Sequence, residues 1–379
     1  MSAALGASLG TVRHEVLNTY TPRSVAANAV IRGWGFYVPA KVLTNADLER
    51  MVGTTDAWIV ERTGIRERRI VGDDEATVSM ATKAARHALE RAGRSGRDLD
   101  AIIVATTTPD HLLPTAAALV QEALGASRAA VFDLGAACAG FIYGLAVARG
   151  LIAAGSARAI LLIGAETISR YVDWTDRATC VLFGDGAGAV VVEASEDAVG
   201  IRSSVLRGDG SKSELLTVLG GGSKHPPSPE SLRAGMHYIR MQGNDVFKVA
   251  VPSMASAAQE AIAQAGLRLA DVDLLIPHQA NVRIIDAVAR KLGLDASKVF
   301  VNIQRYGNTS AASIPIALCE AVEEGRVRPG DTLVFVAFGG GMTWGAAVVD
   351  WTAPVRERPP SFVEPKDILA RPRALFPRR

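Results

Sequence analysis

Ala-rich helical periodicity alternates with short apolar runs along the middle of the chain. Ala84-Ala-Arg-His-Ala-Leu-Glu-Arg-Ala-Gly93 spaces its apolar residues as a helix does and stops on glycine. It leads into Leu99-Asp-Ala-Ile-Ile-Val-Ala-Thr106, an apolar run of buried-strand length. The same succession returns at Ala257-Ala-Gln-Glu-Ala-Ile-Ala-Gln-Ala-Gly266, followed by Val272-Asp-Leu-Leu-Ile-Pro277. The Ala-Gly pairs 92–93 and 265–266 are 173 positions apart, and so are Asp100 and Asp273. A helix starting near Cys138 and ending at Gly155 precedes the strand Arg158–Ile163. Its counterpart follows Asn308, ends at Gly325 and precedes Asp331–Val336. Cys138 to Asn308 is 170 positions, as is Gly155 to Gly325.

A duplicated helix-and-strand unit of this size predicts an α/β fold. Buried strands linked by helices imply mixed, mostly parallel sheets covered by helices on both faces. The expected division is a first half over 31–200 and a second over 201–351. A 1–30 extension and a 352–379 tail, the latter rich in Pro and Arg, are expected to be mobile. The repeat also predicts that Cys138 and Asn308 stand at equivalent helix starts facing one cleft, with His278 arriving at the end of the strand Leu274–Ile276.

With 379 residues, 49% of them hydrophobic, the chain can bury a large interior. No run of about 18 apolar residues suits a membrane span, and the N-terminal stretch does not read as a secretory leader. A net charge of +2 gives no global case for nucleic-acid binding. Three widely spaced cysteines, 138, 180 and 319, match neither a metal-binding spacing nor a disulfide framework. Reduced thiols and a cytoplasmic location are the expectation.

Cys138 lies in Asp133-Leu-Gly-Ala-Ala-Cys-Ala-Gly-Phe-Ile-Tyr-Gly144, where an apolar strand meets a helix start. Free amides and the helix dipole there are expected to lower a thiol's pKa. A small core side chain is the other reading of that segment. Of the six histidines, His278 directly follows an apolar strand, where α/β folds usually meet their ligands. His87 falls in a helix pattern and reads as structural or solvated; His225 and His237 read as surface. Asn308, in Tyr306-Gly-Asn-Thr-Ser-Ala-Ala312, suits an amide donor or a turn residue equally well. Phe183-Gly-Asp-Gly-Ala-Gly188 has neither dinucleotide-type glycine spacing nor a phosphate-loop lysine, so it reads as packing under the site. That also argues against a nicotinamide oxidoreductase.

Together with Trp58-Ile-Val-Glu-Arg-Thr-Gly-Ile-Arg-Glu-Arg68, Asn244-Asp-Val-Phe-Lys-Val-Ala250 and Phe338-Gly-Gly-Gly-Met-Thr-Trp344, these segments resemble the β-ketoacyl-acyl-carrier-protein synthase III family. The resemblance runs from about Ile31 to Trp351. It implies the layered αβαβα arrangement of thiolase-like proteins, and a decarboxylative Claisen condensation of a short acyl-CoA with malonyl-acyl carrier protein. Cys138, His278 and Asn308 would be catalytic. Gly340, with the Cys138 amide, would hold an oxyanion, and Phe338 would gate the cysteine. Trp58 and Arg177 would sandwich the adenine of coenzyme A, Arg62 would meet its phosphates and Asn244 its pantetheine arm. Arg283 would dock the acidic carrier protein, and Asn281 would orient His278 from behind. The resemblance further implies a homodimer with no cofactor or metal, coenzyme A arriving as thioester substrate. Leu112 and Leu113, in Pro109-Asp-His-Leu-Leu-Pro114, fall where starter choice is shaped across the dimer interface. Cys180 and Cys319 read as core. The alternatives are a starter-unit condensing enzyme or acyltransferase of polyketide or secondary metabolism, and a non-catalytic partner subunit of the same fold, against which the Cys/His/Asn set argues.

Overall fold

Strands whose every side chain is buried need cover on both faces, and that requirement sets the architecture. A computed structural model describes residues 28–353. The expectations for the two chain ends therefore lie mostly outside the described residues. In chain order the main elements are β1 (Asn28–Tyr37), α1 (Asp56–Thr63), α2 (Thr77–Ala92), β2 (Ala101–Ala105), α3 (Ala116–Leu124), β3 (Ala130–Leu134), α4 (Gly140–Ala153), β4 (Ala159–Glu166) and β5 (Gly186–Ser195). Then come β6 (Ile201–Gly208), α5 (Gly243–Gln264), β7 (Leu274–Pro277), α6 (Val282–Leu292), α7 (Ser313–Glu323), β8 (Thr332–Gly339) and β9 (Thr343–Asp350).

The first sheet has the order β1-β5-β4-β2-β3 and the second β7-β8-β9-β6. In the first, only β5 runs against the other strands. In the second, only β9 does. The sheets are thus mixed with one reversed strand each, as the buried apolar runs suggest. All of β2 and β4 is buried. Helices α4 and α7 lie between the sheets, α4 against β4, β1, β6 and β9 and α7 against β5, β1 and β7. Outside, α2 and α3 cover the first sheet while α5 and α6 cover the second. The result is five layers, αβαβα, with the largest apolar cluster around the central helices.

The duplication is in register over long stretches. Residues 28, 101, 140 and 159 open β1, β2, α4 and β4, and residues 201, 274, 313 and 332 open β6, β7, α7 and β8, always 173 later. The 170-residue spacing at the central helices has a simple cause. Helix α7 has 11 residues where α4 has 14. The loop after α7 then restores the register. The repeat mate of Cys138 is therefore Ala311, not Asn308, which corrects the predicted equivalence. The short 3₁₀ turns Ala137–Ala139 and Ser310–Ala312 are the true pair. Each opens on a non-glycine residue in the left-handed region, Ala137 at φ 45° and Ser310 at φ 51°. Such conformations cost of order 1–3 kcal/mol each and persist only where the surroundings impose them. One imposing contact is visible: a Cβ on Gly164 of β4 would sit 2.2 Å from the Ala311 carbonyl oxygen. Only glycine lets the Ser310–Ala312 turn rest on that strand.

Candidate active site

Cys138, His278 and Asn308 reach one cleft of about 540 Å³ from three different elements. Cys138 comes from the turn before α4, His278 from the exit of β7 and Asn308 from the segment before α7. Trp58, Arg62, Asn244, Asn281, Arg283 and Phe338 line the same cleft.

The Cys138 thiol is buried, and the turn that carries it packs against the Ser310–Ala312 turn. Burial pushes its pKa up to about 12, with the Ser310 hydroxyl opposing the rise and buried Glu166 adding to it. The expected lowering at a helix start is thus not what the fold delivers: desolvation of the thiolate outweighs the local amides. Cys180 is likewise pushed up, to about 11, and Cys319 is raised too. Location, not acidity, separates Cys138 from the other two, which sit in the core as expected.

His278 continues the ladder of β7, its amide donating to the Val336 carbonyl at 2.8 Å. Its ring Nδ1 is 2.6 Å from Ser313 Oγ. The Ser313 oxygen also accepts from the Gln279 amide at 3.4 Å. Burial lowers the His278 pKa to about 3, so the ring is neutral, a hydrogen-bond donor at one nitrogen rather than an acid.

Asn308 is fixed through its backbone and its side chain. Its amide donates to Leu182 O at 2.8 Å, and its carbonyl accepts from Gly184 at 3.0 Å. The Ser310 amide donates to Asn308 Oδ1 at 2.8 Å. A backbone N–H can only donate, so this bond identifies the oxygen and leaves Nδ2 as the donor end. The Phe183–Gly188 segment packs beneath, with Asp185 accepting from Val71 and Ser169. That is the packing role expected of its glycines.

Gly339 is the residue of the glycine run pressed against Cys138: a Cβ there would lie 2.5 Å from the Cys138 nitrogen. A Cβ on Gly340 would instead meet Leu216 O at 3.1 Å. Phe338 is buried and stacked on Trp344, ring centroids 6.1 Å apart. Asn281 serves another purpose than the one expected. Its side chain accepts from the Arg283 amide and caps α6, while the group bonded to His278 belongs to Ser313. Sequence reading missed Ser313, one residue beyond the quoted Tyr306–Ala312 segment. It also missed the role of Ser310 inside that segment.

At the cleft's outer end Arg62 and Arg177 each place a guanidinium 4.6 Å from the Trp58 ring centre. Arg177 also donates to Gly53 O at 3.0 Å. The expected aromatic–guanidinium pair is present but closed on itself, so a base can enter between the two only if Arg177 swings away. Arg283 is exposed at the rim. Among the histidines, His87 bonds Phe36 O at 3.1 Å and is structural, and the His237 ring lies 4.0 Å from that of Tyr238, tilted by 44°. Among the described residues no group of three or more His, Cys, Asp or Glu side chains is placed to hold a metal. No described helix is long and apolar enough to cross a membrane.

Two family models match the chain. 3-Oxoacyl-[acyl-carrier-protein] synthase III matches residues 132–210, and its C-terminal counterpart matches 262–351. The chain is 52% identical over 329 residues to the β-ketoacyl-[acyl-carrier-protein] synthase III of Roseiflexus sp. strain RS-1, covering 87% of this chain and all of that one. The corresponding protein of Desulfitobacterium hafniense strain DSM 10664 / DCB-2 is 54% identical over 322 residues, covering 85% and 97%. Among solved structures, 3-oxoacyl-[acyl-carrier-protein] synthase III from Aquifex aeolicus VF5 superposes with a TM-score of 0.80 at 51% identity, covering 85% of this chain and all of that one. The priming β-ketosynthase of the R1128 polyketide pathway superposes at 0.82 with 34% identity, covering 87% and 98%.

Proposed function

The chain belongs to the β-ketoacyl-[acyl-carrier-protein] synthase III family, and on that premise we propose how its cleft carries out the family's condensation. The protein is a condensing acyltransferase that initiates fatty-acid synthesis. Cys138 attacks a short acyl-CoA thioester, expels the coenzyme A thiolate and keeps the acyl group. Malonyl-acyl carrier protein then enters, and loss of CO₂ leaves an electron pair delocalised onto the thioester oxygen. His278 Nε2–H and Asn308 Nδ2–H₂ are the two neutral donors offered to that oxygen. The resulting carbanion attacks the acyl-cysteine carbonyl. The Cys138 and Gly340 amides hold the tetrahedral oxyanion, and its collapse releases the Cys138 thiolate and the β-ketoacyl product.

The observation that supports this reading is the convergence of a thiol and two oriented neutral donors in one cleft. Neutrality matters: a cationic imidazole would hold the malonyl carboxylate in place instead of favouring its loss. Trp58, Arg62, Arg177 and Asn244 form the coenzyme A path, and exposed Arg283 meets the acidic carrier protein. The enzyme works as a cytoplasmic homodimer without a bound cofactor. Supporting the dimer, Leu112 and Leu113 are 89% and 85% exposed in the single chain, apolar surface that a partner subunit would cover. A fatty-acid role is favoured over a polyketide one by the closer likeness to the fatty-acid relatives. The test is to incubate the purified protein with malonyl-carrier protein and acyl-CoAs of increasing length. β-Ketoacyl-carrier protein from a short starter is expected. Product from none of them overturns the reading.

A further inference from the structure

We propose that Glu166 is the proton acceptor for Cys138, reached through the Ser310 hydroxyl. The inference rests on Cys138 being the acyl carrier. Glu166, the last residue of β4, is fully buried and forms no ion pair among the described residues. Hydroxyls surround it instead. Thr106, Thr107 and Thr108 donate to its carboxylate at 3.3, 3.1 and 2.7 Å, and the Thr107 amide adds another bond at 3.1 Å. The Thr106 and Thr108 oxygens themselves accept from the amides of Thr108 and Thr167, so their hydrogens are committed to the carboxylate. The remaining hydroxyl is Ser310 Oγ, 3.1 Å from Glu166 Oε1, on the turn that packs against the one bearing Cys138. The proposed path runs Sγ–Oγ–Oε1.

Neighbouring groups of suitable chemistry are otherwise engaged. His278 is a weak base in this setting, and its Nδ1 is tied to Ser313. Asp185 is spent on Val71 and Ser169. Glu320 belongs to a separate cluster with Asn302, Arg305 and Tyr306. Burial raises the pKa of Glu166 and so its appetite for a proton. The repeat makes the asymmetry plain. Glu166 stands 173 positions before Gly339, the residue pressed against Cys138. One half supplies the room around the thiol and the other the carboxylate.

The step balances. The Cys138 S–H bond breaks as its proton passes to Ser310 Oγ, while the Ser310 hydrogen passes to Glu166 Oε1. The sulfur electron pair forms the new bond to the acyl carbon, the C–S bond to coenzyme A breaks and coenzyme A leaves as its thiolate; Glu166 keeps the proton and returns it by the same path when condensation frees the Cys138 thiolate. Glu166 acts through Ser310 and is in that sense a positioning residue for the nucleophile. The titratable groups facing it are Cys138, through Ser310, and the Tyr171 phenol.

The test compares the parent with Glu166→Gln, Ser310→Ala and the double variant. Acyl transfer from acetyl-CoA is followed by intact mass, and Cys138 alkylation by iodoacetamide is followed against pH. CO₂ release from malonyl-carrier protein, measured with each change in a Cys138→Ala background, reports on the rest of the cleft. Each single variant should lose about 10²-fold or more in acylation, in line with removal of a general base. The double should lose little more, and the alkylation profile should move to higher pH. CO₂ release should hold within about a factor of two in those backgrounds, far less than the general-base effect. Parent-like acylation by either single variant, or an equal fall in CO₂ release, overturns the proposal. Should Glu166→Gln fail to fold, Ser310→Ala decides it alone. A parent that takes no acyl group on Cys138 would refute the carrier assignment itself, a separate outcome.

Discussion

Ser313 Oγ lies 2.6 Å from His278 Nδ1, across the seam between the start of α7 and the exit of β7. With the Ser313 hydroxyl donating to Nδ1, the ring hydrogen sits on Nε2, the arrangement that the proposed condensation uses. Removing the hydroxyl leaves the buried ring free to adopt the other tautomer. Ser313→Ala should slow CO₂ release from malonyl-carrier protein by about 10-fold, the worth of one ordinary hydrogen bond of up to 1.5 kcal/mol. Acylation of Cys138 should stay near the parent rate, since the imidazole is not used there. Stopped assays of both half-reactions check this, and an equal loss in each would contradict it.

Cys138 is expected to carry the acyl group. Radiolabelled acetyl-CoA followed by peptide mass analysis should put the label on the peptide containing Cys138. Cys138→Ala should take up none. Label on Cys180 or Cys319 would remove the central assignment, and both are buried with raised pKa values.

His278→Ala should still be acylated while releasing CO₂ roughly 10²–10³ times more slowly, the usual effect of losing one preorganised donor. The pH dependence follows from the sign of the shift. The folded His278 pKa, about 3, lies below its ordinary value of 6.5. The ring is therefore already neutral at pH 5, and CO₂ release by Cys138→Ala should show no inflection near 6.5. Between those two values the unfolded chain binds the extra proton. This site's contribution to stability is full above pH 6.5 and shrinks as pH falls toward 3. An inflection in CO₂ release near 6.5 that disappears in His278→Ala would refute the neutral ring.

Gly339→Ala should be damaging out of proportion to its size. Its Cβ would sit 2.5 Å from the Cys138 nitrogen and 3.0 Å from the Cys138 Cβ. Overpacking of this kind costs about 1–3 kcal/mol. Urea unfolding should reveal that loss, together with a fall in Cys138 acylation. Parent-like values for both would mean that the turn yields easily.

Arg283→Glu should raise the apparent KM for malonyl-carrier protein with little change in transfer from acyl-CoA to Cys138. Rim charges act mainly on association rate and its salt dependence. Added salt should weaken carrier-protein use by the parent and affect the variant much less. Normal use of the carrier with failure on acyl-CoA would reassign Arg283 to the other ligand.

Much of this protein is written locally. Apolar strands, glycine-stopped helices and their 173-residue recurrence dictate two sheets with helices between and outside them, because each buried run must be covered on both faces. The motifs around Cys138, His278 and Asn308 mark the cleft by the same local means. Tertiary structure decided what depends on groups distant in the chain. The repeat register at Cys138 was hidden because α7 is three residues shorter than α4 and the following loop restores the count. The thiol's acidity was misjudged because burial, which no local segment reveals, outweighs the helix start. The partner of His278 is 35 residues away, and Glu166 meets Ser310 across 144. Periodicity fixes which face of an element is buried. Which hydroxyl meets which ring or carboxylate is settled only when the layers pack.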